Sequence, residues 1–437
     1  MKEIVNSLKG DKVIWAFVAL LALFSFMSVY SASSNLAFKA EGIENAFSYL
    51  IKHGAQVIVG FFILYNVHRI PYNYFKRLSR FLLPVIWLLL FFTLYQGNVI
   101  GGANASRWLI IPFTSFSFQT STIASLVLYI YVANYLSKKR ETPITFQNSV
   151  WELWMPVFIT VVLILPANFS TAALIFTMVL ILVFIGKYPL KYIGLIIGAG
   201  LMGLIFFVMV IKTYPDAFPN RVDTWIARMD NFFGDQPNKD KYQIELAKTA
   251  IATGGIYGLG PGKSVQKNFL PQSSSDFIYA IIVEEYGLFG GITVLLIYLL
   301  LLIRFMVAAR RSNTLFGKLL VVGLGFPIIF QAITNMGVAV DLLPVTGQTL
   351  PLISSGGSSI WVTCIALGII LNVTKKEDEI AEELAETKKR DEALKRIIDK
   401  QLLEEENESN NDDKKEDFSI IDQANPLEPI LKKNKPF

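Results

Sequence analysis

The chain has 437 residues, 53% hydrophobic and 13% aromatic, with 17% charged residues and a mean hydropathy of +0.46. A soluble protein of that length would divide into two or three domains and carry more charge, so this class is excluded. A single cysteine, Cys364, lies inside an apolar run and rules out an internal disulfide and a cysteine-built metal site. No nucleic-acid motif and no internal repeat is present.

Apolar runs of membrane-spanning length recur from Val13 to Val373. They predict an all-α polytopic membrane protein with ten transmembrane helices. The first, 13–33, follows a short N-terminal segment, 1–12. It is too long for a signal-peptide core and lacks a small-residue cleavage site, so no cleavable signal is expected. Runs at 49–67 and 81–96 follow. The connector after them holds Gly101-Gly-Ala-Asn-Ala-Ser-Arg107-Trp108 and leads to Phe116-Ser-Phe-Gln119. Arg107 is the one basic residue there; it either snorkels to lipid headgroups or binds an anion. The fourth run is 118–137. The fifth and sixth, 152–166 and 171–186, are short and joined by Pro166-Ala-Asn-Phe-Ser170, which suggests tilted or broken helices. The seventh is 190–212.

A long connector, 213–276, separates the seventh run from the eighth, 277–303. It supplies Arg221, Arg228, Lys239, Lys241, Lys248, Lys263 and Lys267. Its glycines, Gly254-Gly255-Ile-Tyr-Gly258-Leu-Gly260-Pro-Gly262, either make a plain turn-rich loop or let backbone N–H groups converge on a phosphate. At its end a Ser-rich stretch gives way in one step to the apolar run, and Asp276 stands at that boundary. Ionisable groups at such a depth are costly and mark function, so Asp276 is the leading candidate for chemistry. Glu284 and Glu285 lie two turns deeper. They form a structural polar network, or else take a second acid/base or cation-holding role.

The ninth and tenth runs, 317–339 and 356–374, flank Leu343-Pro-Val-Thr-Gly347-Gln-Thr-Leu-Pro351-Leu-Ile-Ser-Ser-Gly356-Gly357-Ser-Ser359. Two prolines and three glycines there preclude a regular helix, and irregular backbone at membrane depth must be buried or line a wet cavity. A re-entrant hairpin facing the cavity of Asp276 is favoured over a purely structural loop. Basic residues concentrate in one alternating set of connectors, and the opposite short connectors carry only Lys39 and Arg107. The positive-inside rule therefore predicts cytoplasmic termini and an extracytoplasmic 213–276. From 375 onward a charged tail begins, with 13 Lys+Arg against 19 Asp+Glu. A body of +11 thus stands beside a tail of −6 within the total of +5. Helical spacing marks the first part of the tail, and its acidic part, 404–417, is expected to be disordered and solvated.

The ordered series Lys241-Tyr-Gln243, Gly254-Gly255, Gly258-Leu-Gly260, Leu270-Pro271, Asp276-Phe-Ile, Glu284-Glu285-Tyr-Gly287, Asn335-Met-Gly337, Leu343-Pro-Val-Thr-Gly347, Leu350-Pro351 and Ser354-Ser-Gly356-Gly357-Ser358-Ser359 resembles the SEDS family (shape, elongation, division and sporulation). These are the FtsW/RodA/SpoVE polymerases of the bacterial cell wall. The resemblance covers about 10–375 and implies a membrane domain of ten spans with both ends inside. It also implies a peptidoglycan glycosyltransferase that joins lipid II, an undecaprenyl-pyrophosphate-linked disaccharide-pentapeptide, into glycan strands at the outer face of the cytoplasmic membrane. Asp276 matches the family's essential aspartate.

A carboxylate in reach of the acceptor hydroxyl removes its proton, and cations stabilise the departing pyrophosphate. Arg107, Lys263 and Lys267 are the first candidates for the cations, with Arg221 and Arg228 after them and Ser358 as a further substrate contact. Gln119, Glu284 and Glu285 are supporting polar residues. No cofactor is called for with certainty, and assistance by a divalent cation (Mg2+ or Mn2+) stays open. The resemblance implies lipid II, a class B penicillin-binding transpeptidase and other division-complex membrane proteins as partners, at the division septum.

Three departures from the family pattern concern secondary sites. Gln272 and Ser274 replace a Glu and a His before the aspartate. Thr122 and Ser125 replace a Glu and a Lys. Asn168 stands where the family has a carboxylate. An elongation polymerase of RodA type, a lipid II flippase and a non-catalytic scaffold are the alternatives.

Overall fold

Each of the ten apolar stretches forms a helix, and one further helix forms in the long connector. The computed structural model describes residues 8–33, 46–96, 108–110, 117–139, 145–213, 239–270, 272–375, 385, 387–398 and 400–401. In chain order the elements are α1 (Lys12–Ser33), α2 (Ala46–Arg69), α3 (Tyr74–Gln96), β1 (Trp108–Ile110), β2 (Ser117–Gln119), α4 (Thr120–Lys138), α5 (Phe146–Ile164), α6 (Phe169–Ile185), α7 (Leu190–Thr213), α8 (Lys239–Gly254), α9 (Ile278–Arg311), α10 (Leu315–Ala339) and α11 (Gly357–Val373). Among the described residues, α1, α2, α3, α5, α9 and α10 are long and apolar enough to cross a membrane. Helix α6, the first part of α7 and α11 are apolar but shorter. Strands β1 and β2 pair antiparallel, with Trp108 opposite Gln119, just before α4.

The fifth stretch starts earlier than its hydropathy suggests. It opens with a short α turn and a π-helical turn at Val150–Trp154 before the regular helix resumes. Trp154 Nε1 donates to the Tyr188 hydroxyl at 3.1 Å, and that hydroxyl also meets Ser149 Oγ, so the turn is fixed by a buried polar knot.

In lipid, tight helix contact replaces water exclusion as the means of association, and small residues permit it. The largest interface, α2 on α11, uses this device. A Cβ on Gly368 would lie 3.0 Å from Leu64 O and 2.9 Å from Val67 Cβ. Trp361 Nε1 donates to Gln56 O at 3.0 Å across the same interface. At one end of it Asn372 accepts from Tyr72 N at 2.9 Å and donates to His68 O at 2.7 Å, which satisfies carbonyl and amide groups left over where α2 stops. Close by, Arg304 on α9 grips both carboxylate oxygens of Asp11 at 2.8 and 2.7 Å, while Asp11 N donates to Thr374 Oγ1 at 2.9 Å.

Helix α9 is broken. Gly287 has φ 68 and ψ −169, so the chain leaves helical geometry and restarts. The break frees backbone groups that lipid would not satisfy. The loop after α8 takes them up: Leu259 N donates to Glu284 O at 3.0 Å and Gly260 N to Glu285 O at 2.9 Å, while Leu288 N donates to Gly255 O at 2.9 Å. A Cβ on Gly287 would collide with Ile256 O, so the position excludes any side chain. Helix α8 packs along α9 and is pinned to the end of α10 by Lys248 Nζ on Asp341 at 2.9 Å, a contact that raises the lysine above its ordinary value.

The chain divides into two units, Met1–Lys375 and Lys376–Phe437. In the second unit the described residues, 387–398 above all, are helical and exposed. The acidic stretch 404–417 lies outside the described residues.

Candidate functional site

Asp276 ends a tight turn, 272–277, that delivers the chain into α9. Gln272 opens the turn at φ 58, and Ser275 N and Phe277 N both return to Gln272 O, at 3.0 and 3.4 Å. Phe277 is buried in a small apolar cluster with Ala247, Ala250, Leu270, Ile281 and Ala339, which anchors the turn from below. Asp276 itself is half-buried.

The carbonyls of this turn are held in sequence. Ser274 O accepts from Ser355 N at 2.9 Å, Ser275 O from Ser354 Oγ at 2.6 Å, and Asp276 O from Asn335 Nδ2 at 2.7 Å. The other hydrogen on Asn335 Nδ2 goes to Gln348 O at 2.8 Å, and Gln348 Nε2 reaches Thr171 Oγ1 at 2.8 Å. The loop between α10 and α11, irregular as its prolines and glycines predict, therefore packs against the turn that bears Asp276.

Below this level, Glu284 and Glu285 are buried to 0% and 1% exposure. Buried carboxylates need donors, and the loop 264–267 supplies them. Glu284 accepts from Ser264 Oγ, from Val265 N at 3.0 Å and from Gln266 N at 3.2 Å. Glu285 accepts from Ser31 Oγ of α1 and from Ser264 N at 3.3 Å. The converging amides of residues 264–266 thus point at the chain's own carboxylates. Lys267 Nζ joins the group, donating to Gly262 O at 2.8 Å and to Ser31 Oγ at 3.3 Å. Lys263 is exposed, its stem against Gly260.

Gln119 and Ser358 meet at a second place, where Gln119 N donates to Ser358 Oγ at 3.4 Å. Thr122 and Ser125 each donate one turn back, to Gln119 O at 2.6 Å and Thr122 O at 2.8 Å, so neither hydroxyl needs an outside partner. Asn168 caps α6 by accepting from Thr171 N at 3.2 Å. Asn168 also lines a cavity of about 10 Å³ together with Thr93, Thr120 and Ser121, and a volume of this order holds about one water. Arg107, Arg221 and Arg228 lie outside the described residues. Among the described residues no three His, Cys, Asp or Glu side chains converge as a metal site.

Ser31, Ser264, Ser354, Gln348 and Asn335 were not singled out as site residues from the sequence. Ser31 is one serine among several on an apolar helix, and Ser264 and Ser354 lie in loops whose partners the sequence does not name. Asn335 stood out as an amide within an apolar run and as part of Asn335-Met-Gly337 in the family series, signals that name no partner.

The profile of the FtsW/RodA/SpoVE family, described as cell cycle protein, matches residues 11–379. The chain belongs to this family. Curated relatives include the probable peptidoglycan glycosyltransferases FtsW of Nitrosomonas europaea, 31% identical over 83% of this chain and 92% of the relative, and of Geobacter metallireducens, 33% identical over 84% and 95%. Among solved structures, a chain of a peptidoglycan synthase complex that coordinates polymerization and crosslinking aligns with TM-score 0.64 and 24% identity, over 84% of this chain and 97% of that one. RodA of Thermus thermophilus aligns with TM-score 0.59 and 24% identity, over 84% and 98%. The fold is that of the FtsW/RodA proteins, and the chain is a multi-pass membrane protein of that family.

Proposed function

We propose that this FtsW/RodA/SpoVE family member is a peptidoglycan glycosyltransferase that polymerises lipid II at the outer face of the cytoplasmic membrane, for septal wall synthesis. One observation carries the reading: a half-buried carboxylate, Asp276, sits on a turn whose three successive carbonyls are held by another part of the fold. A base needs such fixing, because proton removal from a poorly acidic sugar hydroxyl works only at hydrogen-bond range. Asp276 takes the proton of the acceptor hydroxyl as that oxygen attacks the anomeric carbon of the donor sugar. The lipid pyrophosphate leaves with the bonding pair, and the sugar centre inverts in this single displacement.

Lys263, which is exposed, is the first of the described cations proposed to meet the growing negative charge. Lys267 contributes from within the carboxylate group, and Arg107, Arg221 and Arg228 are the further candidates. Ser358 is the neutral substrate contact, and Gln119, whose backbone N donates to Ser358 Oγ at 3.4 Å, is a supporting polar residue. No cofactor is certain from the reaction; assistance of the pyrophosphate by Mg2+ or Mn2+ is the open part of the reading, and chelation followed by add-back measures its share. The partner is a class B penicillin-binding transpeptidase, in keeping with the fold shared with a synthase complex, together with other division proteins.

The decisive assay purifies the protein with its transpeptidase, supplies lipid II and compares Asp276 with Asp276→Ala. Glycan polymer should disappear, by a factor of about 10² or more. Equal polymer from both proteins defeats the reading, and transbilayer movement of labelled lipid II independent of Asp276 would favour a transporter. Depletion that yields filaments indicates division, and depletion that yields round cells indicates elongation.

A further inference from the structure

We propose that Asn335 is a positioning residue for Asp276, acting with Ser354 through the backbone of the turn; the proposal rests on the assignment of Asp276 as base. The geometry is specific. Asn335 is 1% exposed on α10, and its single amide group spends both hydrogens on carbonyls of two different segments, Asp276 O at 2.7 Å and Gln348 O at 2.8 Å. This fixes the orientation of the carboxamide, since the flipped form would set an oxygen against two carbonyl oxygens.

The acceptor side of the same group carries the argument further. Asn335 Oδ1 is buried, and among the described residues no donor reaches it. Native folds rarely leave a buried acceptor unpaired, and each case calls for an explanation. Asn335 is kept for its two donors.

Ser354, 2% exposed, works alongside: its Oγ donates to Ser275 O at 2.6 Å and accepts from Leu350 N at 2.7 Å. With Ser355 N on Ser274 O, three consecutive peptide planes ahead of α9 are fixed from one side, while buried Phe277 fixes the other. The Cα–Cβ direction of Asp276 follows from those planes. Catalytic groups must be held within about 0.5 Å of their working geometry, which a turn without these bonds would not secure.

The test uses the full chain with its transpeptidase partner and lipid II, measuring kcat, KM and, separately, equilibrium binding of fluorescent lipid II. For Asn335→Ala and for the near-isosteric Asn335→Leu, which lacks both donors, kcat should fall about 100-fold or more, with lipid II affinity within threefold of wild type. Asn335→Gln keeps the two amide hydrogens and should recover part of kcat. If Asn335→Ala fails to fold, as judged by thermal melting, Ser354→Ala decides. It removes the bond to Ser275 O together with the one from Leu350 N, leaves Asn335 in place, and should lower kcat without weakening binding.

Full kcat in Asn335→Ala, or in Ser354→Ala where that variant decides, overturns the proposal. So does a loss of lipid II affinity equal to the loss of rate. Asp276→Ala is run in parallel. If it polymerises normally the assignment of the base fails, whereas an inactive Asp276→Ala beside a fully active Asn335→Ala sinks only the positioning role.

Discussion

Glu284 shows how one side chain can hold a loop. Its carboxylate accepts from a hydroxyl and two backbone amides, all from residues 264–266, in a setting with no exposure. Removal by Glu284→Ala leaves those donors unpaired, at a cost of about 1–3 kcal/mol for each buried group. The detergent-solubilised protein should melt several degrees lower, and Glu284→Gln, which keeps one acceptor oxygen, should lose less. Lys263 tests charge instead of packing. Exposed as it is, Lys263→Ala should leave the melting temperature unchanged and lower kcat/KM for lipid II about tenfold, about 1.4 kcal/mol of transition-state stabilisation. Lys263→Arg should retain most activity. Asp276 was legible in the sequence because a lone acid at the start of an apolar run is anomalous. The donors that serve Glu284 and Glu285 were not, because Ser31 is one serine among many on α1 and lies 254 residues away in the chain from its partner.

At the level of elements, the break in α9 is the feature most open to test. Gly287 adopts φ 68 and ψ −169, and a new Cβ there would strike Ile256 O. Gly287→Ala should therefore destabilise the protein by at least about 1–3 kcal/mol from backbone strain alone. It should also abolish polymer synthesis, as the Gly255–Gly260 loop is displaced. Gly198→Ala on α7, where nothing lies within 4 Å of the added carbon, is the control and should stay within about 0.5 kcal/mol of wild type. Hydropathy located the helices, since burial in lipid demands long apolar runs and little else. It did not show the break, because the apolar run resumes at once after Gly287 and the backbone exchange that sustains the break comes from the connector. The π turn at Val150–Trp154 escaped for the same reason. The irregular loop between α10 and α11 was legible from its prolines and glycines, yet its task of holding the turn before α9 depends on which carbonyls it faces.

On the scale of the molecule, the separation at Lys375 predicts that deletion of 376–437 leaves lipid II polymerisation by the purified protein within about twofold of the full chain. Reduced activity in the glycan assay, with melting temperature unchanged, would instead give the tail a direct role. Within the first unit, the bond between Asp11 and Arg304 joins positions 293 residues apart, and Asp11 N meets Thr374 across 363. Ribosomes release the chain from the N-terminus onward, so Asp11 emerges long before either partner exists. The cluster can close only after α11 has been made and inserted. A chain that stalls or is cut short of Thr374 therefore leaves Asp11 N without its acceptor, a chemical mark that separates incomplete from complete protein at the last step of assembly.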